Sequence, residues 1–99
     1  MKHYLTKEIP SDLKASLIEA GMTALKIKAT YADAFDLAAN EGLWVEVEKH
    51  FDAKTNEFTS NYEWGIIKGR NYVASNDGIC KTWLDAADEA LEAVVSLMF

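Results

Sequence analysis

Between Thr30 and Val47 the chain changes period once, and that change limits the folds open to it. Tyr31, Ala34, Phe35 and Ala38 recur at i, i+3, i+4 and i+7, the spacing of one helical face. Thr30 precedes them, with Asp33 three residues on. That is the capping pattern, in which a hydroxyl accepts from a first-turn N–H and a carboxylate lies at the positive end of the helix dipole. Gly42 supplies the left-handed residue at which helices stop. Beyond it Leu43, Val45 and Val47 alternate with Trp44, Glu46 and Glu48, the period of a half-buried strand. A helix running straight into such a strand needs further strands and a covering helix, which points to an α+β domain.

The segment that follows supplies them. DAKTNE after Phe51 has the composition of a hairpin turn. On the return strand Phe58, Tyr62, Trp64 and Ile66 share one face, and Thr59, Asn61, Glu63 and Gly65 share the other. Lys68-Gly69-Arg70-Asn71 makes a second turn into a short strand over Tyr72 to Ser75, and Asn76-Asp77-Gly78 breaks it. Thr82 opens the last helix with the same threonine, aromatic, aspartate and alanine spacing as Thr30, the mark of shared capping chemistry. Leu84, Ala87, Leu91, Val94 and Met98 form its apolar stripe, broadened by Trp83, Ala90 and Leu97. This helix is expected to cover the aromatic sheet face.

Upstream, Ser11 is the expected cap of a short helix carrying Leu13, Leu17 and Ile18, with Gly21 as its stop. Met22 to Ala29 alternates through Leu25 and Ile27 and reads as extended. Residues 1–10 show no period and read as a mobile arm or an edge segment. The expected architecture is one domain over residues 1–99, in the order α-α-β-β-β-α. Its sheet is antiparallel and three-stranded, with room for a fourth edge piece, and its helices lie on one face.

Charge is distributed unevenly. Residues 29–48 contain Asp33, Asp36, Glu41, Glu46 and Glu48 and no Lys or Arg. Residues 82–99 contain Asp85, Asp88, Glu89 and Glu92, again without a base. The net charge of −6 is owed to these two segments, and it repels phosphate backbones, so direct nucleic-acid binding is not expected. Apolar runs are too short to span a bilayer and no apolar leader region is present, so no membrane partner is expected. The single cysteine, Cys80, leaves no internal disulfide and no thiolate cluster, which suits a cytoplasmic protein.

Certain motifs carry a likeness. A short helix ending at Gly21, T-Y-x-x-A-F-D from Thr30, E-G-L-W-V-E-V from Glu41, the strand with Tyr62, Trp64 and Ile66, and a terminal T-W-x-x-A-x-x-A-L helix stand in this order. Together they resemble the small uncharacterised proteins of phages and mobile elements of gut anaerobes. The resemblance covers most of residues 11–98 and implies a fold and a mobile-element origin, with no activity attached. The order of elements over residues 30–98 is also that of the double-stranded RNA-binding domain. That family places a lysine cluster at the start of its second helix, where this chain reads Lys81-Thr82-Trp83-Leu84-Asp85, so the shared order is one of fold alone.

Weighed residue by residue, no catalytic or cofactor-binding constellation emerges. Glu46 and Glu48 point the same way from one strand, as an acid–base pair would, yet alternating acids on a solvated face are far commoner. His50 extends them to a nominal metal trio. Same-face residues on a strand stand about 6.6 Å apart, however, and a metal wants ligands at about 2 Å, so no metal site is expected. Cys80 precedes a helix but lacks an assignable His partner and reads as a small buried residue. Gly65, Gly69 and Gly78 lack phosphate-loop spacing, and Lys68 with Arg70 makes a sparse basic patch. Trp44 stands out, because alternation sets it with Glu46 and Glu48 on the polar face, where an aromatic ringed by acids suits a protein interface. The expected role is a non-enzymatic protein-interaction module using Trp44, Glu46 and Glu48. Its alternative is an acidic mimic of nucleic acid, and a homodimer through an edge strand is a further expectation.

Overall fold

The computed structural model describes residues 2–27, 29–76 and 79–99. A one-turn helix α1 (Lys2–Leu5) precedes α2 (Ser11–Ala20), a 3-10 helix (Thr23–Lys26) and α3 (Tyr31–Asn40). Strands β1 (Trp44–Asp52), β2 (Glu57–Lys68) and β3 (Asn71–Ser75) follow, and α4 (Trp83–Met98) closes the chain. The sheet is antiparallel and three-stranded in the order β1-β2-β3, so the α+β architecture holds and, after the one-turn α1, so does the α-α-β-β-β-α order.

Thr30 caps α3 through a complete capping box. Its Oγ1 accepts from the Asp33 N–H at 3.2 Å, and the Asp33 carboxylate accepts from the Thr30 N–H at 3.2 Å. Gly42, at φ +80°, ends the helix in a conformation that side chains with a Cβ resist, and the Leu43 N–H turns back to the Ala38 carbonyl at 2.9 Å. Thr30→Ala is expected to lower stability by about 1 kcal/mol, read as a reduced urea midpoint at unchanged slope.

The core lies between the sheet and the helices. Trp64 and Ile66 of β2 are buried beneath α4, whose Ala86, Ala87, Ala90, Leu91 and Val94 are buried in turn. Three alanines on one helix face let the backbones approach closely, and α2 packs against α4 with Leu13 and Leu17 in the same core. Trp83 anchors the junction of three elements. Its ring lies 5.5 Å from Tyr4, 5.6 Å from Tyr31 and 5.9 Å from Phe35, within the range of favourable aromatic pairs. The Tyr31 phenol donates to the Asp88 carboxylate, tying α3 to α4.

Several expectations change. Pro10, at φ −55° and ψ 143°, takes the cap position of α2 and no side chain caps it, so Ser11 is already the first helical residue. The stretch that follows Met22 is not extended, since Thr23–Lys26 forms the 3-10 helix. Met22 and Leu25 are buried one 3-10 turn apart, whereas Ile27 is 90% exposed, so a spacing of three rather than two places the apolar residues. Residues 4–9 pack rather than forming an arm. Tyr4 stacks on Trp83, Ile9 is buried, and the Ile9 N–H bonds the Ala29 carbonyl at 2.8 Å. Phe58 is 69% exposed beside Phe51, with ring centroids 5.2 Å apart, because the β1–β2 hairpin runs beyond the helices that cover Trp64 and Ile66. Leu97 is likewise exposed, near the end of α4. A fourth strand is absent among the described residues, and the bridges Glu8–Thr30 and Tyr62–Cys80 are isolated pairs. Of the expected break at Asn76-Asp77-Gly78, the last two residues lie outside the described residues.

Candidate functional site

Alternation along β1 sets Trp44, Glu46, Glu48 and His50 on the outer sheet face, and Trp44 also lines a hollow with Phe35 and Asp36 of α3. The registers Trp44–Ile67 and Ile67–Tyr72 set these three in one row across the sheet. Glu46 is opposite Gly65, itself opposite Ser75, and Glu48 is opposite Glu63. Trp44 is 59% exposed and Tyr72 62%. The parity that sets Trp44 with Glu46 and Glu48 therefore holds, and the indole faces water.

Gly65 shapes this face. A Cβ there would lie 2.6 Å from Tyr72 Cε1, so the bare backbone is what lets the phenol ring lie across β2. From that position the Tyr72 hydroxyl donates to Glu46 Oε2 at 3.0 Å. The hydrogen bond to Glu46 is the main reason the phenol's pKa is raised, and the charges of Glu46, Glu48 and Glu63 push it the same way. Glu48 and Glu63 face each other directly, an unfavourable like-charge pair, and His50 Nδ1 stands 3.1 Å from Glu63 Oε2. His50 thus associates with the neighbouring strand instead of completing a trio with Glu46 and Glu48. Among the described residues no group of three or more His, Cys, Asp and Glu is placed to hold a metal ion.

Tyr72 and Glu63 belong to this surface and escaped the reading of β1 alone. Alternation places Glu63 on the polar face, but only the register sets it against Glu48. Tyr72 reaches its row because the β2–β3 register shifts between Ile66 and Ile67, and a bulge of that kind leaves no periodic trace.

The other candidates separate. Cys80 is buried, with its thiol 3.3 Å from Glu89 Oε2, while Glu89 Oε1 accepts from the Trp64 indole at 3.2 Å. Burial first, then Glu89, pushes the thiol up to about 11. At pH 8 this should slow its reaction with a disulfide reagent by about 100-fold relative to the urea-unfolded chain, and equal rates would contradict the placement. Lys68 and Arg70 are exposed on either side of the Gly69 turn, remote from the acids in the strand register. Gly65 lies in β2 and Gly69 in the turn, while Gly78 falls outside the described residues. No helix among the described residues is long and apolar enough to cross a membrane.

Chemically, the outer face offers an exposed indole, a phenol and three carboxylates. Such a surface can receive cationic and hydrogen-bond-donating groups and stack against a planar one. No protein-family model, curated protein or solved structure matches this chain.

Proposed function

We propose that this chain is a small non-enzymatic protein-interaction module of phage or mobile-element origin, acting in the cytoplasm through the outer sheet face at Trp44, Glu46 and Glu48. The carrying observation is the 59% exposure of Trp44 on an edge strand beside those carboxylates. A large exposed ring surrounded by acids has the composition of an interface anchor, since tryptophan dominates binding energy out of proportion to its number. The mobile-element origin rests on the sequence resemblance.

Trp44→Ala is expected to weaken capture of the partner from a host lysate by about 2 kcal/mol, roughly thirtyfold in Kd, with little change in thermal midpoint. Unchanged capture would remove Trp44 from the contact.

Glu63 opposite Glu48 also favours a second reading, in which the three carboxylates imitate a phosphate array and occupy the basic groove of a nucleic-acid-binding protein. Salt separates the two. Mimicry predicts binding that collapses between about 50 and 200 mM salt, as phosphate-type contacts do, whereas an indole-anchored contact persists.

A further inference from the structure

Building on the interaction reading above, we propose that the free edge of β1 takes up an extended segment of the partner protein as a fourth strand, apolar at its inward-facing residues and basic at its outward-facing ones. The backbone directions follow from the far side of β2. The Tyr62 N–H bonds the Cys80 carbonyl at 2.7 Å, and the Cys80 N–H bonds the Tyr62 carbonyl at 2.9 Å. The Asn76 N–H bonds the Trp64 carbonyl at 3.3 Å, while the Trp64 N–H bonds Asn76 Oδ1 at 3.0 Å. Tyr62 and Trp64 thus turn their backbone groups away from β1, which leaves Glu63 and Gly65 to pair with Glu48 and Glu46. By the same alternation Val45, Val47 and Lys49 direct N–H and C=O outward from the sheet. Among the described residues, no backbone bond reaches those groups from another element.

Beside this edge runs a groove in which Leu5, Phe35 and Trp83 lie alongside β1 all the way from Trp44 to Glu48. A strand added to β1 would set alternate side chains into that apolar floor and the intervening ones beside Trp44, Glu46 and Glu48. Main-chain bonds then supply affinity, and the two sides of the strand supply selectivity. Charge chooses the occupant. Residues 29–48, which form α3 and the start of β1, hold five acids and no base, so Lys or Arg complements the outer side, and a guanidinium also stacks on the Trp44 indole. A second copy of this chain is disfavoured, because antiparallel self-pairing would set the Glu46 and Glu48 row against itself.

The test uses the full chain and a fluorescent nine-residue peptide of alternating arginine and valine, capped at both ends. A control of the same composition carries its valines in one block. Anisotropy is expected to show the alternating peptide binding at least tenfold more tightly than the control. Amide exchange should slow at least tenfold at Val45, Val47 and Lys49 on binding, and remain unchanged at Glu46 and Glu48, whose N–H groups are already paired. Lys49→Pro removes one outward N–H where the side chain is exposed and no sheet bond is lost, and should weaken the peptide at least tenfold. Glu48→Lys should weaken it similarly and supplies a variant with an intact backbone. Equal binding of the two peptides, or protection absent from Val45 and Val47, overturns the proposal. So does a concentration-dependent dimer that Lys49→Pro dissolves, which would give the edge to a second copy. If the lysate partner depends on Trp44 while the edge stays unprotected in its complex, strand addition fails and the interaction reading stands. If Trp44→Ala leaves that capture intact, the reading itself fails.

Discussion

Trp83→Ala should lower stability by roughly 3–5 kcal/mol, the usual loss for emptying a buried tryptophan site. The indole is 5% exposed and meets Tyr4, Tyr31 and Phe35 within 6 Å, so its removal opens a cavity lined by three rings from α1 and α3. None of those rings can collapse into the space without unseating its own helix. A domain of this size has about 5–15 kcal/mol in total, so the variant should melt on the order of 15 °C lower or fail to fold. Trp83→Phe keeps a ring in place and should lose less. A calorimetric loss below about 1 kcal/mol for the alanine variant would show that the ring cluster does not organise the core. The consequence reaches the edge groove, since Leu5, Phe35 and Trp83 form its floor.

The Tyr31–Asp88 bond should give this protein a marked alkaline sensitivity. The Tyr31 phenol is held well above its ordinary value of 10.0 by burial first, then by its hydrogen bond to Asp88 and by that carboxylate's charge. With the folded-state pKa raised, the unfolded chain releases the proton first. The Tyr31 contribution is therefore fully present below pH 10 and is lost as pH climbs toward the folded value, by about 1.4 kcal/mol per pH unit. Tyr31→Phe should remove the tyrosine's part of that slope and leave the part that the Cys80 thiol contributes from pH 9.0 to about 11. Near pH 7 it should cost about 1–3 kcal/mol because Asp88 loses its donor. The Asp88 carboxyl is also raised above 3.8, by burial first, against the opposing Tyr31 bond, with Asp85 adding to the rise. The sign is the same. Its contribution is complete below the unfolded value and is lost as pH rises through the folded one. Asp88→Asn keeps an acceptor for Tyr31 without the buried charge, so it should gain on the wild type as pH rises above the unfolded value of 3.8. Urea midpoints of the three proteins across pH test both slopes, and parallel curves would contradict the assignment.

Local chemistry is legible at Thr30, Gly42 and Thr82, where a residue acts on its own stretch of backbone. The Thr30 box, the Gly42 stop and the Thr82 cap involve groups within a few residues of one another, so their spacing is sufficient evidence. The faces of β1 and β2 were legible for the same reason, since alternation is a property of one strand. Trp44 was identified as outward-facing in this way, with Glu46 and Glu48 beside it. The 3-10 helix misled because Leu25 and Ile27 alternate like a strand, while Met22 and Leu25 obey the tighter turn that burial selects. Ser11 misled because it and Pro10 compete for one cap position, and a fixed φ decides it for proline.

Phe58 separates the two levels most clearly. Alternation assigns it to the side of the sheet that carries Trp64 and Ile66, but the β1–β2 register shifts between Lys49 and Phe51, before the pair Phe51–Phe58. Whether that side is covered depends on how far α4 reaches along the hairpin, a distance no residue near Phe58 encodes. Tyr72, Glu63 and Gly65 join the Trp44 surface through register and a bulge between strands, and Trp83 lines the edge groove through packing of α4 near β1. Periodicity and capping are written in neighbouring residues and can be read there. Coverage, register and the free edge of β1 arise from contacts between distant ones, and only the assembled fold brings those together.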